Sequence, residues 1–228
     1  DNAHRNGVPI LGTIFFPPLV FGGNYAWVQN FLTKDGDRYP AADKLIEMAE
    51  YYGFDGWFIN QETEGGTAAD AAAMRDLIRY IRLNSNIRIT WYDSMTEAGN
   101  IQWQDHLNSN NDWYLRHNYT TGQQNNTGDL IAHSMFVDFA DFSGVNSEFP
   151  NVPGAPLTAF SRNYALSLGV DPYEIFTGVE AEGEDFRTST AIRLNLDKIF
   201  PPGQNHLTSV GIYKPLKYAT QLPEQDLF

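Results

Sequence analysis

Phe54-Asp55-Gly56-Trp57-Phe58-Ile59-Asn60-Gln61-Glu62 is the stretch that decides the fold. Trp57, Phe58 and Ile59 are bulky strand formers, and Gly53 and Gly56 bracket their entry. A helical pattern over Pro40–Tyr52 precedes the run, with Leu45, Ile46 and Ala49 on one face. A second, alanine-rich pattern follows over Ala68–Arg82, with Met74, Leu77, Ile78 and Ile81 at helical spacing. A short apolar strand between two helices predicts a buried parallel strand. Its apolar character stops at Asn60-Gln61-Glu62. Side chains two residues apart share a strand face at about 6–7 Å, so Asn60 and Glu62 point one way and Gln61 the other. An amide beside a carboxyl at the end of a buried strand is either a hydrogen-bonded strand end or a working site.

Outward from this strand the pattern repeats. Val8–Phe16 reads as a strand ended by Pro17-Pro18, and Tyr25–Leu32 as a short helix. Ile87–Asp93, Ser134–Ala140, Glu174–Glu182 and Thr208–Tyr213 read as further strands, and Leu157–Leu168, closed by Gly169, and Leu194–Phe200 as helices. Ser94–Asn126 is rich in Asn, Trp and Tyr, with helical pieces expected near Gln102–Asn110; its two Asn-x-Thr triplets, at Asn118 and Asn125, are frequent by chance in such a loop. Lys214–Phe228 is a polar tail. Strands alternate with helices and carry their polar residues at their C-terminal ends. That predicts an α/β fold, a (β/α)8 TIM barrel with its chemistry on that rim. Only six strands are legible. Asp1–Gly7 reads as the end of a helix already under way, with Gly7 as its C-cap. Residues 1–228 are therefore expected to be one catalytic-domain fragment running from the third strand to the eighth. The first two strands are expected to be missing from this chain, so a preceding barrel segment or accessory domains are expected partners. An open doubly wound sheet is the alternative, without a Gly-x-Gly-x-x-Gly or P-loop to support it.

Composition narrows the function. A chain of 228 residues, 42% hydrophobic, can bury a sizeable core. A net charge of −13 without a basic run argues against nucleic acid. The absence of cysteine excludes disulfides and thiolate metal sites, and the five histidines show no HExxH or i,i+4 pairing, so neither metal nor cofactor is expected. No run of about 18 apolar residues is present, and no membrane span is expected. With 15 Phe, 12 Tyr and 5 Trp, the chain is well supplied with rings that stack on sugars.

Hydrolysis of a glycoside needs an acid on the leaving oxygen and a second group on the other face of the ring. Glu62 can be the acid if partial burial raises its pKa. The second group is either Glu180, at the end of a later strand, as a conventional nucleophile, or the substrate's own 2-acetamido group. In the latter case Asn60, one strand pitch before the acid, is placed to orient the acetamide. A sugar-binding barrel without catalysis is a third reading.

Asp55-Gly56-Trp57-Phe58-Ile59-Asn60-Gln61-Glu62 resembles the signature of glycoside hydrolase family 85, the endo-β-N-acetylglucosaminidases. His4-Arg5-Asn6-Gly7-Val8-Pro9-Ile10-Leu11-Gly12-Thr13, Trp91-Tyr92-Asp93-Ser94-Met95-Thr96 with Trp103-Gln104, and Asp171-Pro172-Tyr173 with Phe176-Thr177-Gly178 resemble further segments of that family in the same order. The resemblance implies cleavage of the GlcNAc-β1,4-GlcNAc core of N-linked glycans, free or on glycoproteins, with retention through an oxazoline. It implies Asn60 as the acetamide-orienting residue, Glu62 as general acid/base and Tyr92 as a hydroxyl near the oxazoline. Trp103 would be an aromatic wall of the cleft. Glu180, Asp138, Phe16 and Trp91 complete the expected substrate-binding set. The sequence departs from the family on the sixth strand, where an Asn and a Trp are usual and the run here is Phe136-Val137-Asp138-Phe139-Ala140-Asp141-Phe142, and at Glu180, where many members carry Asp followed by an Arg-Gly pair.

Overall fold

The computed structural model describes residues 2–138, 157–180 and 196–214, with the side chain of Glu180 excepted. The chain divides into two compact units, Asp1–Gln104 with Asn108–Met135, and Asp105–Leu107 with Phe136–Phe228.

The first unit runs α1 (Asn2–Arg5), β1 (Leu11–Phe16), α2 (Tyr25–Phe31), α3 (Pro40–Tyr52), β2 (Gly56–Gln61), α4 (Ala68–Asn84) and β3 (Arg88–Tyr92). Pro40 opens α3 with a preset φ at a position whose N–H has no helical partner. Gly53 closes it at φ 75°, its N–H on the Ala49 carbonyl at 2.8 Å. A reciprocal cap between Thr67 and Asp70 starts α4. β1, β2 and β3 are parallel neighbours, with Gly12 opposite Trp57, Phe15 opposite Asn60, and Ile59 opposite Trp91. At Gly56 the backbones come so close that a Cβ would lie 1.8 Å from the Arg88 carbonyl oxygen. One face of β2 and β3 packs inward: Trp57, Ile59, Ile89 and Trp91 are buried, along with the stripe Ala71, Met74, Leu77, Ile78 and Ile81 of α4. The Trp57 indole donates to the Leu45 carbonyl of α3 at 2.9 Å.

The long segment after β3 differs from the sequence reading. Gln102–Asn110 is not helical, because its amide side chains take over the backbone's bonds. Asn108 Oδ1 accepts from the Asn110 N–H at 2.8 Å, Asn111 Oδ1 accepts from the Asn108 N–H at 2.9 Å, and Gln104 Oε1 accepts from Asn110 Nδ2 at 2.9 Å. A short antiparallel pair then appears, β4 (Arg116–His117) with β5 (Asp129–Leu130), which the sequence did not announce. It is pinned to α4 by Arg79 on Asp129 at 2.6 Å and by the Tyr119 hydroxyl on Asp76 at 2.8 Å. The buried Arg75 guanidinium lies 4.5 Å from the Trp113 ring and 4.8 Å from the Tyr119 ring. β6 (Ser134–Val137) begins in this unit, where the Thr90 and Ser134 hydroxyls meet at 2.8 Å.

The second unit holds the end of β6, α5 (Leu157–Ser167), β7 (Ile175–Glu180), α6 (196–199) and β8 (Ser209–Tyr213). β7 and β8 are parallel, with Gly178 opposite Gly211 and Glu180 opposite Tyr213. The Phe136 ring occupies the space left by both glycines, since a Cβ on Gly178 or Gly211 would meet it at 2.9 or 2.2 Å. Val179 and Ile199 are fully buried with Leu196 and Val210 against them. Parallel neighbours thus occur in each unit, β1–β2–β3 in the first and β7–β8 in the second, and the six strands read from the sequence all stand among the described residues. The expected strand residues 139 and 140 and Glu182 lie outside the described residues, as does the tail from 215 onward.

Two outcomes test this packing. Gly56→Ala forces a Cβ against backbone rather than a movable side chain, and is expected to destabilise the fold by about 1–3 kcal/mol or more in denaturant melts. His133 Nδ1 accepts the Ile89 N–H at 3.1 Å and is therefore neutral, and burial, helped by Arg82 and Arg88, lowers its pKa from 6.5 to about 4. The unfolded chain binds the proton first, so stability is full above pH 6.5 and falls as pH drops toward 4. His133→Asn keeps an acceptor without a titration and should flatten that part of a melting-temperature profile.

Candidate active site

The end of β2 carries Asn60 and Glu62 on the face opposite Trp57 and Ile59, as strand alternation requires. Both are half-buried. Asn60 Oδ1 is buried and accepts no hydrogen bond from any described residue. The Trp103 indole N–H reaches Glu62 Oε1 at 3.4 Å, and Trp103 remains 39% exposed, so its ring stands at the edge of the site. Tyr92, one step beyond the Ile59–Trp91 register pair, comes level with Asn60 on β3, and its ring centre is 6.1 Å from that of Phe58.

The backbone around Glu62 is held from several sides. Its N–H donates to the Phe16 carbonyl at 2.9 Å, the last rung of the β1–β2 ladder. Gln61, fully buried on the opposite face, turns its amide along the chain: Oε1 accepts from the Thr63 N–H at 3.0 Å, and Nε2 donates to the Thr63 carbonyl at 2.8 Å. The Thr63 hydroxyl donates to the Pro17 carbonyl at 2.6 Å, and the Ser94 hydroxyl to the Gln61 carbonyl at 2.5 Å. Further along, Glu64 accepts the Leu19 N–H at 2.8 Å, which keeps its carboxyl below the usual range.

Two of the residues expected to touch substrate, Phe16 and Trp91, lie buried. Phe16 is 8% exposed and packs edge-on against Phe31, with ring centres 5.3 Å apart. Trp91 is fully buried and stacks on Tyr114 at 4.3 Å. Both share the parity of Gln61, which turns them away from Asn60. The aromatic on the site face of β1 is Phe15, level with Asn60 and 53% exposed. Two adjacent phenylalanines gave the sequence no way to choose between them; only the register does. Asp138 follows β6 in the second unit, two residues beyond Phe136, and is partly buried. Glu180 closes β7 in the same unit, and its side chain lies outside the described residues. No group of His, Asp and Glu with the makings of a metal site occurs among the described residues, and no described helix is long and apolar enough to cross a membrane.

A carboxyl, an amide, a phenol and two aromatic rings at the C-terminal end of neighbouring parallel strands make a constellation suited to a sugar. The chain belongs to glycosyl hydrolase family 85, whose profile matches residues 1–226. It is similar to the cytosolic endo-beta-N-acetylglucosaminidases of Homo sapiens, 36% identical over 117 residues, and of Gallus gallus, 38% identical over 118. These matches cover 49% and 48% of this chain but only 15% of each relative. Among solved structures, the Endo-D glycoside hydrolase domain of Streptococcus pneumoniae R6 superposes with a TM-score of 0.74 at 27% identity, over 96% of this chain and 32% of that one.

The assignment of strand faces is open to a direct check. Phe16→Ala should cost about 3 kcal/mol or more in an unfolding titration, as a buried ring does. Phe15→Ala should cost much less but weaken sugar binding by calorimetry. The reverse pattern would mean that the faces are exchanged.

Proposed function

We propose that this site hydrolyses the GlcNAc-β1,4-GlcNAc core of N-linked glycans with retention, through an oxazoline formed by the substrate's own acetamide. The observation that supports the reading is the Asn60 Oδ1, buried without a partner among the described residues, on the face it shares with Glu62. A buried acceptor left without a partner costs about 1–3 kcal/mol, and an acetamide N–H is a donor of the right kind to relieve it. A conventional nucleophile has no use for such an acceptor beside the acid.

In the first step the acetamide oxygen attacks the anomeric carbon while the bond to the leaving oxygen breaks. Glu62 gives its proton to that oxygen. Positive charge spreads onto the acetamide nitrogen, whose N–H donates to Asn60 Oδ1 and is held in line. The Tyr92 hydroxyl, level with Asn60, steadies the forming ring. In the second step Glu62, now a carboxylate, takes a proton from water as that water attacks the anomeric carbon and opens the ring. The two inversions leave the configuration retained. Trp103 and Phe15 offer apolar faces to the sugars on either side.

Two substitutions separate this mechanism from a Glu62/Glu180 pair. Glu62→Gln should lower kcat on the natural glycan by about 10²–10⁴-fold, the usual range for an acid catalyst. Asn60→Ala should lose hydrolysis by about 10²-fold or more, in keeping with the sensitivity of such steps to placement. It should still transfer a presynthesised sugar oxazoline to a GlcNAc acceptor, because that reaction begins after the step Asn60 assists. Product yields from glycan and from oxazoline are the measurement. Equal loss of both activities by Asn60→Ala, or no loss, counts against the acetamide route, and abolition of hydrolysis by Glu180→Ala with Asn60→Ala active favours the conventional one.

A further inference from the structure

Gln61 and Ser94 stand outside the reaction just described, yet they govern the backbone that carries its acid. Two peptide planes flank the Glu62 Cα. The plane before it is tied at both ends: the Glu62 N–H to the Phe16 carbonyl at 2.9 Å, and the Gln61 carbonyl to the Ser94 hydroxyl at 2.5 Å. The plane after it is tied through the Thr63 N–H, held at 3.0 Å by Gln61 Oε1. The next carbonyl, that of Thr63, receives Gln61 Nε2 at 2.8 Å. Gln61, Thr63 and Ser94 are each fully buried, so water does not compete for these bonds.

The tie by Gln61 is of an unusual kind. β2 ends at Gln61, and the chain beyond it leaves the β1 ladder. Thr63 would then bury both an N–H and a carbonyl without a strand to pair with. A primary amide carries one donor and one acceptor in the same geometry as a peptide group, so the Gln61 side chain stands in for the missing strand. The bend at Glu62 that results is fixed from the strand's own far face. A carboxyl on that bend has only its χ angles left to vary.

We propose that Gln61 and Ser94 are positioning residues for the acid, locking the two peptide planes either side of Glu62 so that its carboxyl meets the leaving oxygen. The proposal rests on the reading of Glu62 as the proton donor. It predicts a signature that loss of general stability does not give. An error in placing the acid matters in proportion to how much the leaving group needs a proton. A sugar hydroxyl needs one fully, and a nitrophenolate hardly at all.

The experiment measures kcat and KM for wild type, Gln61→Met, Ser94→Ala and Ser94→Thr on two substrates with the same donor sugar. One is the natural glycan, and the other is the 4-nitrophenyl glycoside. Gln61→Met preserves volume and removes both amide bonds; Ser94→Ala removes one hydroxyl, and Ser94→Thr keeps it. Gln61→Met and Ser94→Ala should lower kcat on the glycan by about 10–100-fold, the loss expected from misplacement by about 1 Å. KM should stay within about twofold, as expected when only an interaction of the transition state is lost. Their loss on the nitrophenyl glycoside should be severalfold at most, and Ser94→Thr should recover most of the glycan activity. Glu62→Gln, run alongside, should show the same contrast between substrates in stronger form. If Glu62→Gln shows the contrast and the Gln61 and Ser94 variants lose both substrates equally or neither, the positioning role is overturned while the acid stands. If Glu62→Gln itself shows no contrast, the acid assignment is what fails. Should Gln61→Met fold poorly, Ser94→Ala and Ser94→Thr decide the question.

Discussion

A parallel ladder that stops inside a protein leaves peptide groups with nowhere to go, and the end of β2 is where this molecule meets that constraint. The Glu62 N–H is the last to find a neighbouring strand, at the Phe16 carbonyl. One residue later the chain turns toward α4 with its polar groups still buried. The bonds from Gln61, Ser94 and the Thr63 hydroxyl to Pro17 resolve this. The same solution leaves the opposite face free for Asn60 and Glu62. A packed face and the face proposed to bind sugar thus depend on one alternation, set by the burial of Trp57 and Ile59.

Much of this was legible in the sequence, for reasons that can be named. α3 and α4 announce themselves through Pro40 and their helical spacing; the α4 stripe Met74, Leu77, Ile78 and Ile81 is found buried, and of the α3 stripe Leu45 and Ala49 are buried while Ile46 is only partly so. The apolar run of β2 between them gave the parallel strand, and its polar end gave Asn60 and Glu62. These are local signals, fixed by backbone chemistry within a few residues. What stayed hidden depended on distant partners. Phe15 and Phe16 are indistinguishable until β1 is in register with β2. Trp91 stands in the expected substrate-binding set, but parity turns it onto Tyr114. The Gln102–Asn110 stretch has a composition compatible with helix, and its asparagines and glutamines instead bond to one another and to the backbone. Gln61 was placed correctly on the far face, while its bonds to Thr63 follow from a bend that no periodicity encodes.

The site also illustrates how unlike roles arise from like residues. Asn60 and Gln61 are adjacent amides at the end of one strand. Gln61 has both halves of its amide engaged, in bonds to a backbone that cannot move away. The buried carbonyl of Asn60 has no partner among the described residues. Saturation makes the first a structural tie, and the unmet acceptor of the second is what the proposed acetamide contact would use. One more methylene on Asn60, or one fewer on Gln61, would exchange neither role but spoil both. The reach from Cα to amide is matched in Gln61 to the peptide groups of Thr63, and in Asn60 it leaves a buried oxygen without a partner among the described residues.

The aromatic ring of Phe136, seated where Gly178 and Gly211 carry no side chains, has a historical consequence. These three positions cannot drift one at a time. A lineage that gained a Cβ at either glycine while keeping the ring would pass through a collision, and one that lost the ring first would pass through a hollow spanning two strands. The three positions therefore constrain one another. Any exchange of β7 or β8 with a related strand must suit the ring at position 136, or the join will carry a collision or a hollow.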